Sequence, residues 1–292
     1  MSNALCLFGE VLFDRFPDGH EVLGGAPFNV AWHLQGFGQS PLFISRVGAD
    51  EAGERIRHAM SDRGMSLAGL QRDPQHPTGA VSVTLEGGEP SYDIVADSAY
   101  DFIAAAQLPD VEPGLIYHGS LALRNPVSAA ALRELKARSP ARVFVDVNLR
   151  EPWWQRGQVL ALLDDAHWVK LNRDELALLG DGDGDALAAA ERFREAHRLE
   201  GLVLTLGAEG AVALVSDGGP VRVSPEPASN VIDAVGAGDA FASVLILGLR
   251  RGWALAETME RAQAFASELV QRRGATVSDP LLYQTLAQRW GL

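Results

Sequence analysis

The sequence predicts an α/β protein with a mostly parallel central sheet covered by helices on both faces. Three observations point there. From residue 115 onward, strand-like and helix-like segments alternate repeatedly, the order that builds parallel sheets through crossover helices. Most strand segments are short and apolar throughout, as strands buried on both faces are. One stretch departs from this: residues 80–85 alternate, turn at Gly87-Gly88 and continue through 91–95. That is a hairpin with one wet face, expected to lie outside the main sheet as a flap.

In chain order, residues 5–8 and 11–13 read as strand, broken at Gly9-Glu10. Residues 14–22 are polar, contain Pro17 and Gly19, and read as a loop or turn. Gly24-Gly25-Ala26-Pro27-Phe28-Asn29 opens a helix to residues 34–37, with Pro27 suited to a first turn. Residues 42–47 form a buried strand, and 51–63 a helix closed by Gly64. Beyond the hairpin come strand 115–118, helix 127–138 behind Pro126, strand 143–147, helix 159–163, strand 168–171 and helix 175–179. Helix 186–197, with Asp185 as its N-cap, precedes strands 202–206, 211–215 and 221–223. Residues 240–249 carry no charge before Arg250, so as a helix they are buried all round. A further helix spans 255–272. The Gly180-Asp-Gly-Asp-Gly-Asp185 run fails as a calcium loop, because Ala186 and Arg192 stand where glycine and glutamate are required; it reads as a solvated loop. No linker divides the chain, so one domain is expected over residues 1–292, with a lid from about 14–25 and 78–100.

A formal net charge of −13 argues against nonspecific binding of nucleic acid or of an anionic membrane surface. Cys6 is the single cysteine, which rules out an intramolecular disulfide or a cysteine metal cluster and suits a reducing compartment. The first ten residues lack a basic region and reach an acid at Glu10, so they read as a strand rather than a signal peptide. No apolar run approaches the roughly 20 residues of a membrane span. The expected location is the cytoplasm. The seven histidines lack metal-ligand spacing. Lys136 and Lys170 are the only lysines and neither follows a glycine, so phosphate chemistry is expected to rest on backbone amides, arginine and metal.

Ligands of open parallel sheets bind at the carboxyl ends of strands. Polar clusters fall at five such ends: Asp14; Asp146, Asn148 and Arg150; Asn172 and Glu175; Thr205 and Gly207; and the run from Asp233 to Asp239. In the last of these, Gly236-Ala237-Gly238 presents backbone N–H groups beside Asp239 at a helix start, where anions are favoured. A carboxylate there suits proton removal from a hydroxyl while the amides hold a phosphate; an N-cap aspartate after a glycine turn is the plainer reading. Asn172 and Glu175 fit either a capping box or the outer shell of a hydrated Mg²⁺. Arg150 fits a phosphate clamp or a surface salt bridge. The Thr205-Leu-Gly207-Ala-Glu-Gly210 segment fits a nucleotide loop or a β-turn. Gly24, Gly25 and Asn29 let a small hydroxylated ligand approach the backbone, and Asp14 can accept two sugar hydroxyls.

These residues carry a resemblance. Val231-Ile-Asp233-Ala-Val-Gly236-Ala-Gly238-Asp239-Ala-Phe241 resembles the C-terminal signature of the ribokinase-like sugar kinases, the phosphofructokinase-B family. Gly24-Gly25-Ala-Pro27-Phe-Asn29-Val-Ala31, Gly36, Gly38 and Arg46-Val-Gly48-Ala-Asp50 resemble the N-terminal one. Asp146-Val-Asn148-Leu-Arg150 and the Gly-Gly-x-Pro-x-Asn form look most like fructokinases. The resemblance implies a three-layer sandwich with a small β-sheet lid. It implies transfer of the ATP γ-phosphoryl to a primary sugar hydroxyl, most like fructose to fructose 6-phosphate. Asp239 would be the general base, with Gly236, Ala237 and Gly238 as the anion hole and Arg150 beside it. Asp14, Gly24, Gly25 and Asn29 would hold the sugar. Thr205, Gly207 and Gly210 would lie near the nucleotide, and Asn172 and Glu175 would organise Mg²⁺ through water. Many relatives bind K⁺, for which Asp233, the Val235 carbonyl, Gly274 and Ser278 match. Relatives often form homodimers through the lid. Two departures are Ala234, where the family usually has threonine, and Val147, where proline is usual.

Other substrates within the family are ribose, 2-keto-3-deoxygluconate or a nucleoside. A dinucleotide-dependent oxidoreductase is a different class, disfavoured because Phe241 replaces the third glycine of its motif. A non-catalytic sugar-binding regulator is disfavoured by the intact Asp239 and its glycines.

Overall fold

The structure is a computed structural model that describes residues 4–86, 89–180, 184–225 and 232–292, and the side chains of these except 85, 86 and 89–92. The expected Gly87-Gly88 turn, the centre of the Gly180–Asp185 loop and the Asn230-Val231 start of the C-terminal signature lie outside the described residues.

The apolar segments become strands. In chain order they are β1 (Ala4–Phe8), β2 (Leu12–Arg15), β3 (Glu21–Gly24), β4 (Leu42–Gly48), β5 (Leu70–Asp73), β6 (Gly79–Glu86), β7 (Glu89–Ile94), β8 (Pro113–His118), β9 (Arg142–Asp146), β10 (Trp168–Asn172), β11 (Gly201–Thr205), β12 (Ala211–Val215) and β13 (Val221–Val223). The helices are α1 (Ala26–Gly36), α2 (Glu51–Asp62), α3 (Pro126–Ala137), α4 (Arg156–Leu163), α5 (Arg173–Leu179), α6 (Ala186–Ala196), α7 (Ala237–Arg251), α8 (Leu255–Leu269) and α9 (Pro280–Trp290).

One large sheet runs β13-β12-β11-β10-β9-β8-β1-β4-β5. Its pairings from β11 through β5 are parallel, and β12 and β13 close one edge antiparallel. Because side chains alternate across a strand, β1 sends Leu5 and Leu7 to one face and Cys6 and Phe8 to the other. The first face packs on α1, α2, α7, α8 and α9; the second packs on α3 near β1 and on α4, α5 and α6 near β10. Three layers result, as expected. Residues Ala240 to Gly248 of α7 are buried without a break. Each fully buried Leu, Ile or Val there is worth roughly 1.5–3 kcal/mol, so packing against the sheet, not helix propensity, fixes α7 in place.

The lid is a separate sheet, β3-β2-β6-β7. Here residues 14–22 differ from the expected loop: β2 continues to Arg15, and β3 begins at Glu21. A lid strand has one wet face, so its polar residues mimic a loop in sequence. Strand β5 and helix α9 were not foreseen; β5 is a four-residue edge strand with three polar residues. Helix α9 begins where Asp279 caps Leu281 N–H, with Pro280 in its first turn.

Asp50 joins the two sheets. It caps α2 through Gly53 N–H at 2.8 Å and also takes Thr78 Oγ1 at 2.6 Å and Thr78 N–H at 2.8 Å, at the entry to β6. Asp50→Ala removes the cap and strands a buried donor, so it should lower stability by about 2–3 kcal/mol. A urea midpoint that moves by the equivalent of less than about 0.5 kcal/mol at unchanged slope would contradict this linkage.

Candidate active site

The carboxyl ends of β9, β10 and β11, the first turn of α1 and the first turn of α7 meet under the lid. Two cavities open there. The first, about 570 Å³, is lined by Glu10, Asp14, Gly25, Asn29, Asp146, Arg150, Lys170, Glu175 and the turn residues Gly236, Gly238 and Asp239. The second, about 750 Å³ and more apolar, is lined by Thr205, Gly207, Gly210, Pro225, Phe241, Gln263 and neighbours. Asn172, Thr205, Ala234 and Gly238 line both, so the cavities join at the start of α7.

That start is set by Gly236, the residue before α7, with φ 82°, a left-handed conformation favouring glycine. A Cβ there would also come within 2.5 Å of Ala275 Cα. The plain N-cap reading of Asp239 does not hold: Gly236 is the cap, and Asp239 lies within the first helical turn. Its Oδ2 accepts a hydrogen bond from Asn29 Nδ2 at 2.8 Å, joining positions 210 residues apart. Burial raises the Asp239 carboxyl to about 6, against the lowering pull of Asn29; Asp146 raises it further, while Lys170 and Arg150 oppose.

On the α1 side of the first cavity, Gly25 caps α1 with φ 109°, and a Cβ there would come 2.7 Å from the Glu10 carbonyl. A Cβ on Gly24 would lie 3.4 Å from Asp14 Oδ2 and 4.0 Å from Asn29 Oδ1, so the two side chains converge above a bare backbone. Burial raises Asp14 to about 6, with Arg150 pulling it down. Arg150 is exposed and lines this cavity.

Asn172 and Glu175 form the capping box that one reading of the sequence gave: Asn172 Oδ1 takes Glu175 N–H, and Glu175 Oε2 takes Asn172 N–H, each at 2.8 Å. Glu175 does more than cap, because its Oε1 takes Leu149 N–H at 2.8 Å and so ties the ends of β9 and β10. At the cation positions implied by the resemblance, Asp233 Oδ1 takes Val235 N–H at 2.9 Å and Oδ2 takes Gly274 N–H at 3.1 Å. The Ser278 carbonyl accepts from Arg63 at 3.3 Å.

Two residues of this cavity received no role from the sequence. Lys170 Nζ lies 2.8 Å from both oxygens of Asp146, its register partner on β9. It would stand 3.5 Å from a Cβ on Gly238, directly behind the glycine turn. Burial alone would lower the Lys170 ammonium, yet the Asp146 carboxylate holds it above the ordinary lysine range. A lone lysine in the apolar Trp168-Val-Lys-Leu171 run was the available signal. Glu10, the second, is buried on the bend between β1 and β2.

Five carboxylates (Glu10, Asp14, Asp146, Glu175 and Asp239) face the first cavity against Arg150 and Lys170. Acidic side chains therefore outnumber basic ones in its lining. Among the described residues no cluster of three His, Cys, Asp or Glu forms a metal cage.

A profile of the pfkB family carbohydrate kinases matches residues 6–281. The chain belongs to the pfkB family. It is an ATP-dependent sugar kinase, a phosphotransferase acting on a sugar hydroxyl. It is 33% identical to a fructokinase of Escherichia coli over 94% of this chain and 93% of that one. The aminoimidazole riboside kinase of Salmonella enterica, solved with aminoimidazole riboside and an ATP analogue, is 25% identical with a TM-score of 0.85, over 97% of this chain and 99% of that one. The fructokinase of Vibrio cholerae, solved with fructose, ADP and a calcium ion, is 26% identical with a TM-score of 0.82, over 98% and 99%. The chain has the ribokinase-like α/β fold, superposing on these structures along nearly its whole length. Among the described residues no helix is long and apolar enough to cross a membrane.

For Asp239 to act as a base it must be deprotonated, so a rate that depends on it is expected to be present above its raised pKa and to fall as pH drops through about 6. A profile of kcat/KM from pH 5 to 8 should show this acid limb; a rate unchanged down to pH 5 would contradict it.

Proposed function

We propose that this kinase phosphorylates the primary hydroxyl of fructose, giving fructose 6-phosphate. The observation that carries the reading is the junction of the two cavities at Gly238, with Asp239 on the polyol side. Similarity to fructokinases along nearly the whole chain supports the choice of sugar.

Phosphoryl transfer depends on positioning and charge stabilisation. Asp14, Gly24, Gly25 and Asn29 hold the sugar so that its primary hydroxyl meets Asp239. The hydroxyl proton passes to an Asp239 carboxylate oxygen while the hydroxyl oxygen bonds to the γ-phosphorus and the bond to the β-phosphate oxygen breaks. Backbone amides at Gly236, Ala237 and Gly238 receive the transferred phosphoryl oxygens. Arg150 faces the same charge from the sugar side, and Lys170 lies behind the turn. The nucleotide occupies the apolar cavity beside Thr205, Gly207 and Gly210. Glu175 and Asn172 would hold a hydrated Mg²⁺, which neutralises phosphate charge when bound. The lid excludes water, so that ATP is not hydrolysed without sugar. The chain works as one unit with its lid, in the cytoplasm. Edge strands β3 and β7, with Phe16 exposed at the turn between β2 and β3, favour a homodimer through the lid. For K⁺, Asp233, Val235 and Gly274 gather at one place, while Ser278 already serves Arg63; turnover in K⁺ against Na⁺ tests that site.

A riboside is the second reading, favoured by the similarity to the aminoimidazole riboside kinase. ADP release measured with fructose, ribose, 2-keto-3-deoxygluconate and adenosine should give the highest kcat/KM with fructose. A preference for a riboside would overturn the choice of substrate. Asp239→Asn should lower kcat by about 10²–10⁴-fold with the fructose Kd within a few-fold. Near-normal turnover of that variant would remove Asp239 from the base role.

A further inference from the structure

Glu10 is a buried acid for which the reaction described above has no use. Its backbone is pinned beneath the start of α1, where the absent Cβ of Gly25 leaves room for the Glu10 carbonyl. The side chain is 2% exposed and lines the same cavity as Asp14, Asn29 and Asp239. The backbone N–H groups of Glu10 itself and of Ala122 favour its anion. Oε2, by contrast, has no hydrogen-bond partner among the described residues. The charged and titratable groups that sense Glu10 are Asp239, Arg150, Arg124, Tyr100 and Tyr117, contributed by several elements.

A buried carboxylate oxygen without a partner is costly, and native proteins keep few such groups. A second orphan stands in the same cavity: Asn29 Oδ1, whose amide nitrogen is already engaged with Asp239. Two unpaired acceptors in one polyol-sized space are complementary to hydroxyl donors. We propose that Glu10 is a specificity residue whose Oε2 hydrogen-bonds a sugar hydroxyl other than the one phosphorylated. Burial raises its carboxyl to about 7. Near neutrality it therefore offers both a donor form and an acceptor form, and a hydroxyl can pair with either. The inference rests on the sugar-kinase reading of this cavity.

Glu10→Met keeps the volume and removes both oxygens, a replacement that buried charged sites often tolerate. The fructose Kd, measured by calorimetry without ATP, should weaken by about tenfold or more, while the KM for ATP stays within about twofold. Glu10→Gln, which retains a donor and an acceptor, should recover binding to within about threefold of the wild type. Against a series of singly deoxygenated fructoses, one analogue should lose on the wild type what fructose loses on Glu10→Met, with no further loss when the two are combined. Should Glu10→Met fail to fold, Glu10→Ala, which also removes both oxygens, carries the same test, its loss falling on that single deoxy position. An unchanged fructose Kd in a folded variant that lacks both oxygens, or an equal loss for every analogue, overturns the inference. A wild type that neither binds nor phosphorylates any sugar refutes instead the functional reading beneath it.

Discussion

The hydrogen bond from Asn29 to Asp239 joins the first turn of α1 to the first turn of α7 and holds the two halves of the site in register. Neither end could sit there without glycine. Gly25 lets α1 begin against the Glu10 carbonyl, and Gly236 lets α7 begin against Ala275. The apolar run of α7 then anchors the arrangement in the core. A half-buried carboxylate is thereby oriented and raised toward neutrality at the point where the two cavities meet. Desolvation makes it more basic than an aspartate in water, and Asn29 limits that rise by stabilising the anion.

Around this bond the electrostatics are lopsided. Five carboxylates share one cavity, yet its neighbour must accept the triphosphate of ATP. Lys170 partly reconciles the two, paired to Asp146 directly behind the glycine turn. Its charge is spent largely on Asp146, so it balances the interior acids more than it adds net positive field. In the proposed reaction a polyanionic phosphate entering such a site would be helped by added positive charge, which a hydrated Mg²⁺ would supply. Both oxygens of Glu175 are already engaged, by the N–H groups of Leu149 and Asn172.

What the sequence made legible follows how local each signal is. The glycine turn and its aspartate are contiguous, and the buried helix after them is uncharged, so both could be read directly. The strand–helix alternation gave the parallel sheet and its two helical layers. The end of lid strand β2 and the whole of β3 were obscured because many of their residues face water, which in sequence resembles a loop. Lys170 and Glu10 were obscured for another reason. Their significance lies in partners from other elements, Asp146 through sheet register and Gly25 through close backbone approach, and no spacing within their own segments encodes either. Asn172 and Glu175 form the capping box of α5, one of the two readings the sequence offered, and the same geometry braces the ends of β9 and β10.

The most direct test of this account is a crystal structure of the wild-type enzyme with fructose and a non-hydrolysable ATP analogue. The account predicts the primary hydroxyl of the sugar within about 3 Å of an Asp239 carboxylate oxygen, with the γ-phosphate on the amides of Gly236 to Gly238. A sugar bound with another hydroxyl toward Asp239, or a triphosphate that does not reach the start of α7, would contradict it.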